Sequence, residues 1–271
     1  MRGSVPVSDQ IRGGLAAILL ASLAAPAGAG PQRVVSMNLC TDQIAMLLAA
    51  PGQLISVSDL ARDPRMSPMA EQAAAYPVNH GRAEEIYLMR PDLVIAGQYA
   101  PGPTVAMLRR LGLRVEVLPP AESIDAIRGE IAHMGRLLGR QRAAEALLAR
   151  FDQGLGAARH DRDRGRAALY YANGFTSGRD TLAGAIIEAA GYDNIAADYG
   201  ITDTTALPLE LLVMSRPDRL ITGARWPGRS RSEAILDHPA LASVAPRTAG
   251  VTDRDWICGT PFILRAIEAL E

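Results

Sequence analysis

The chain has 271 residues, 48% of them hydrophobic and 21% charged, ordinary globular composition with material for one large core or two smaller ones. A formal charge of −1 argues against nucleic-acid binding, which usually brings a basic stripe. All 28 basic residues are arginine, so no Schiff-base lysine is available for catalysis.

Residues 1–29 read as an export signal. Arg2 and Arg12 precede a short apolar core, LAAILLASLAA (15–25), and Ala27-x-Ala29 offers a cleavage site. The apolar core is too short for a mature membrane anchor. Beyond it, β-rich runs bounded by turn residues predict strands at RVVSM (33–37), LISVS (54–58), LVIAG (93–97), RVEVL (114–118), ALYYA (168–172), RLITG (219–223) and GVTD (250–253). Helical patterns lie between them: TDQIAMLLA (41–49), PTVAMLRRL (103–111), TLAGAIIEAAG (181–191), LPLELLVMS (207–215) and PFILRAIEAL (261–270). Alternation of this kind predicts α/β architecture with parallel sheets built from βαβ units. From Ser123, a plausible N-cap, to Arg159 the pattern is helical throughout, with an interruption at Gly139. HDRDRGR (160–166) reads as a solvated loop.

One sentence is written twice. EEIYLMRPDLVIAG (84–97) and ELLVMSRPDRLITG (210–223) share a Glu, an Arg-Pro-Asp six residues later, and an apolar run ending in Gly. Each Glu should open a short helix, each Pro should stop it, and the apolar run should form a buried strand. The chain therefore divides into an N-terminal α/β lobe (30–122), a connecting helical segment (123–160) and a C-terminal α/β lobe (161–271).

Ligands of open α/β sheets bind beyond the carboxyl ends of the strands. The loops expected there are NLCTD (38–42), DLARDP (59–64), GQYAPGP (97–103), NGFTSGR (173–179), GARWPGR (223–229) and RDWICGTP (254–261). They carry Tyr99, Phe175, Trp226 and Trp256, with Arg62, Arg179, Arg225, Arg229 and Arg254. Aromatic faces and guanidinium forks suit a large, partly apolar ligand with anionic or carbonyl edges, although exposed loops also collect such residues without one. Cys40 and Cys258 fall on loops of opposite lobes. In an oxidising compartment they suit a disulfide; two thiolates are also soft metal ligands.

EEIYLMRPDLVIAG, FTSG (175–178) followed by a helix and GYDNIA (191–196), and DWICGTPFILRAIEAL (255–270) together resemble the periplasmic substrate-binding proteins of metal-chelate ABC importers, which carry cobalamin, ferric siderophores or haem. The resemblance covers the mature chain in order and is nearest the cobalamin-binding type. It implies two Rossmann-like lobes joined by a long α-helix, a periplasmic location, and an interlobe ligand contacted by Cys40, Arg62, His80, Arg82, Tyr99, Phe175, Arg179, Arg225, Trp226 and Trp256. It further implies a monomer with no intrinsic cofactor, whose partners are the transmembrane subunits of a permease with their ATPase. Glu84 and Glu210 match the carboxylates that dock on permease arginines; a Glu in a first helical turn also favours the helix dipole, and Glu85 competes for the first role. The sequence departs from the cobalamin pattern at SVSDLARDP (56–64) and YPVNHGRA (76–83), which lack the cleft aromatics. His80 is a possible metal ligand or a loop hydrogen-bonder, and Arg82 suits an anionic ligand edge. The rival class, a bilobal exported enzyme, lacks GxSxG, GxxxxGK[ST] and HExxH signatures.

Overall fold

Val34 and Val35 point to opposite faces of the first strand, and both are completely buried, so both faces of its sheet must be covered. The computed structural model describes residues 30–159, 164–225, 227–228, 230–244, 248–251 and 253–270, with positions 1 and 3. The expected signal segment lies almost wholly outside the described residues. Five parallel strands, β1 (Val34–Ser36), β2 (Leu54–Ser58), β3 (Val78–Asn79), β4 (Leu93–Gly97) and β5 (Val115–Leu118), form a sheet in the order β3-β2-β1-β4-β5. On one face, α3 (Ala83–Leu88) and α4 (Gly102–Arg110) bring Ile86, Val105 and Leu108 against Val35 and Val94. On the other, α1 (Leu39–Leu48) packs Ile44, Ala45 and Leu48 against Val34 and Ile95, while the short α2 (Ala70–Ala73) adds Ala73.

The connection is a helix pair, α5 (Ile124–Leu137) and α6 (Gln141–Ala158). The Ser123 hydroxyl accepts the Ala126 backbone N–H at 3.1 Å and caps the first of them. The pair breaks where the glycine suggests, with Gly139 at φ 67°.

The second sheet repeats the first with fewer strands. Strands β6 (Arg166–Leu169), β8 (Asp193–Asn194), β10 (Arg219–Gly223) and β11 (Thr248–Val251) run parallel in the order β11-β10-β6-β8. Their helices are α7 (Leu182–Ala189), α8 (Leu209–Ser215), α9 (Pro239–Val244), α10 (Asp253–Trp256) and α11 (Ile263–Glu268). The short strands β3 and β8 are absent from the expected set, and a further stretch differs from it. Within NGFTSGR, read as a loop, Phe175–Ser177 forms β7 and pairs antiparallel with β9 (Thr204–Ala206). Three residues are too few for a period to register.

The repeated Arg-Pro-Asp acts as a clamp in both lobes. Asp92 accepts the backbone N–H groups of Gln32 (2.6 Å) and Arg33 (3.0 Å), and Asp218 accepts that of Arg166 (2.8 Å). Arg33 in turn donates to the carbonyl of Met89, just after α3, and Arg166 to that of Ser215, the last residue of α8. The arginines before the prolines, Arg90 and Arg216, share a left-handed backbone at φ 50° and 44°.

At the carboxyl ends of β1–β3 lies a buried polar seam. Asn79 donates to the Ser36 carbonyl (2.8 Å), and Asp42 Oδ2 accepts the Ser58 N–H (3.1 Å) and hydroxyl (2.5 Å). Oδ1 of Asp42 accepts no hydrogen bond from the described residues. Burial pushes this carboxyl up to about 7, against the pull of the two hydrogen bonds from Ser58. A carboxyl raised in the folded state favours folding fully below its unfolded value of 3.8 and loses that contribution as pH rises through about 7. Asp42→Asn should therefore raise the urea midpoint at pH 8 and leave it unchanged near pH 4. The ceiling for that gain is roughly 4 kcal/mol, for about three pKa units. Equal midpoint changes at both pH values would contradict the assignment.

Candidate ligand-binding site

Segments beyond the carboxyl ends of β1, β5 and β11 are joined by covalent and polar contacts. Cys40, in the first turn of α1 just beyond β1, is bonded to Cys258, just beyond α10, with 5.1 Å between their Cα atoms. Asn38 caps α1 there, accepting the Cys40 N–H at 3.0 Å. Beside the disulfide, the buried Thr260 hydroxyl donates to Gln43 Oε1 at 3.0 Å. Between these two contacts Gly259 lies so close to the chain at Ala121 that a Cβ would sit 2.4 Å from the Ala121 carbonyl oxygen. Both sulfurs are committed to the disulfide, so thiolate metal ligation is unavailable in this form.

Around this seam the sequence-selected residues divide into free and engaged groups. Tyr99, on the turn after β4, is 78% exposed, and Phe175, at the start of β7, is 41% exposed. Leu60 after β2 and Ile257 before the disulfide add exposed apolar surface. His80 directly follows β3, and its Nδ1 pairs with Glu85 Oε1 at 3.0 Å while its backbone N–H donates to Oε2 at 2.9 Å. Burial works against the Glu85 charge, but these two contacts hold its carboxyl below the ordinary range. The imidazole is therefore oriented by a carboxylate through one nitrogen, an arrangement that leaves Nε2 for a ligand. Arg82 is exposed beside it.

Arg62 is tied up locally: its guanidinium donates to the carbonyls of Ala73, Ala74 and Tyr76, around the end of α2. Arg225 pairs with Asp237 at 2.8 Å, and exposed Arg179 stands 3.8 Å from Asp180. Trp256 is half-buried against the main core. Trp226 and Arg229 lie outside the described residues. Among the described residues no three His, Cys, Asp or Glu side chains converge on a point that could hold a metal ion. The polar seam partners Asn79, Asp42, Gln43 and Thr260 went unrecognised in the sequence. Asn and Asp beside strand ends were the only signal, and loops supply those everywhere.

Residues 34–247 match the profile of a family described as "Periplasmic binding protein". The chain belongs to that family. It is 34% identical over 223 residues to a cobalamin-binding protein of Halobacterium salinarum, covering 80% of this chain but only 58% of the relative's length. A vitamin B12-binding protein of Pectobacterium carotovorum is 26% identical over 221 residues, covering 78% of each. Among solved structures, the apo periplasmic haem-binding protein RhuT from Roseiflexus sp. RS-1 superposes with a TM-score of 0.71 at 26% identity, over 89% of this chain and 97% of that one. The vitamin B12-binding protein BtuF of Vibrio cholerae shares the fold, with a TM-score of 0.64 at 19% identity over 89% and 95%.

The disulfide generates a direct prediction. It closes a loop of 218 residues, so replacing both cysteines by alanine should cost roughly 2–5 kcal/mol of stability in urea unfolding. An unchanged midpoint would show that the noncovalent seam alone holds the edges together.

Proposed function

We propose that the protein is the extracytoplasmic solute-binding component of an ABC importer, capturing a metal chelate of corrinoid type between its two lobes. The lobes are taken as residues 30–122 and 161–271, joined by 123–160. The observation that carries this reading is the seam. Segments beyond the carboxyl ends of both sheets are joined there, where α/β folds bind ligands, and exposed Tyr99, on the turn after β4, and Phe175, at the start of β7, follow those ends. Exposed aromatics with few committed polar groups suit a broad, flat ligand better than a small polar one. The similarity to a cobalamin-binding protein over most of the chain favours the corrinoid. Cargo is bound and handed over without covalent chemistry, and neither metal nor organic cofactor belongs to the protein itself.

A second reading, haem, rests on His80. Its imidazole is held by Glu85 and presents one free nitrogen, a form suited to an iron or cobalt centre. Arg82 next to it would meet a propionate or phosphate edge. Intrinsic tryptophan fluorescence during titration with cobalamin, haem and a ferric hydroxamate separates these. Saturable quenching by cobalamin is expected, at one equivalent and after correction for its absorbance. Haem binding that His80→Ala abolishes would replace the corrinoid with haem.

Delivery needs a permease with its ATPase as partner, and the repeated glutamates are the proposed contacts. Glu85 is engaged by His80, whereas exposed Glu84 and Glu210 make no hydrogen bond or ion pair with the described residues. The monomer therefore presents one free carboxylate on the equivalent helix of each lobe. Reversing both charges, Glu84→Arg with Glu210→Arg, should abolish cargo uptake in cells while leaving cargo affinity within about twofold, the scale of a surface substitution. Full uptake by the double variant would remove docking from the function of these residues.

A further inference from the structure

The outer faces of the repeated helices carry something besides charge. Leu88 on α3 is 78% exposed and Met214 on α8 is 74% exposed. A single exposed leucine needs no explanation. These two, however, occupy the same place in the repeat: each stands four residues after its glutamate and two before its left-handed arginine. The inward positions match as well, since Ile86 and Leu212, each two residues after the glutamate, are both completely buried. Each helix therefore packs inward through apolar residues and turns another, equally large, outward, where amphipathic helices of this kind place polar side chains. The spacing of four sets the carboxylate and the apolar group one turn apart on one helix face. Leu88 and Met214 stand in the last turns of their helices, whose ends are held by Arg33 and Arg166 at the amino ends of β1 and β6, opposite the carboxyl ends where the ligand site lies.

We infer that Leu88 and Met214 are a matched pair of apolar anchors that seat the protein on its permease, each entering a hydrophobic pocket beside the cation that meets Glu84 or Glu210. The inference rests on the docking reading above and adds the source of affinity to it. Two like patches on the two halves of one chain fit a partner built of two like subunits, each offering a basic group and an apolar pocket. The two kinds of contact divide the work. Exposed carboxylates steer association and fix register but are screened by salt. Apolar side chains moved from water into a pocket lower the dissociation rate and are insensitive to salt at ordinary ionic strength.

The test measures binding of the mature protein to its cognate permease–ATPase complex in lipid nanodiscs, by interferometry at low and high salt. Leu88→Ala with Met214→Ala should weaken binding roughly a hundredfold, about tenfold for each buried side chain, through faster dissociation and equally at both salt concentrations. Glu84→Gln with Glu210→Gln should slow association, with an effect that shrinks as salt rises. Cargo affinity and urea midpoint should stay at wild-type values in both double variants, because all four side chains are exposed. Apolar variants within twofold of wild type, alongside weakened glutamine variants, would overturn the anchors and leave the docking reading standing. Normal binding by both double variants would overturn the docking reading together with the anchors. A dimer seen by light scattering of the free protein and dissolved by the apolar substitutions would overturn the inference in favour of self-association.

Discussion

A single hydrophobic cluster runs through the whole molecule, and the rest of the structure depends on it. It begins with Val34, Ile44 and Leu93 in the first lobe and continues through Ile127, Ile131, Met134, Leu147 and Phe151 of the connecting pair. It ends on Leu169, Ile186, Ile221 and Ile267 in the second. Helix α5 packs on α1 of the first half and α6 on α11 of the second, and the two pack on each other, so one layer of helices joins both halves. A large opening of the lobes would have to part this shared layer, exposing apolar surface at roughly 25 cal/mol per Å2. The seam at Cys40–Cys258, Gln43–Thr260 and Ala121–Gly259 adds a second restraint beyond the carboxyl ends of the strands. Both restraints oppose a wide hinge opening between the two sheets.

The repeat shows how one short motif serves fold and surface together. Its inward half is a clamp: Asp92 and Asp218 hold the starts of β1 and β6, and the arginines of those strands hold the ends of α3 and α8. Its outward half is free of these duties, and there the glutamates stand without partners among the described residues. Residues that recur only to support the fold would leave the outer face free to drift. The outer positions nonetheless recur in kind, a carboxylate and an exposed apolar group on each helix.

Much of the fold was legible because its signals are long. LVIAG is buried throughout and reads as an unbroken apolar run, and RLITG buries its central Leu220 and Ile221 on opposite faces. Helices begin where Ser123 and Thr181 stand ready to cap, and end at Gly or at Arg-Pro. What escaped was short or nonlocal. Strands β3, β7, β8 and β9 have two or three residues each, below the length at which alternation is detectable. The site was legible as a set of loops but not as a set of free side chains. Nothing in DLARDP distinguishes an arginine for a ligand from one that caps the end of α2, since the carbonyls Arg62 reaches lie 11 to 14 residues away. In the same way, the pairing of Glu85 with His80, which singles out Glu84, depends on a turn at Gly81 with φ 68°.

The disulfide has a consequence for assembly as well as for stability. Its two sulfurs meet only when the loop after β1 and the segment after α10 have been brought together by both sheets and the helices between them. Neither half of the chain can form it alone. Oxidation is therefore a record that the halves have joined. A chain that failed to join them would keep a free thiol in the first turn of a helix, where thiols ionise readily and react. The same two atoms that lock the finished molecule thus mark an unfinished one.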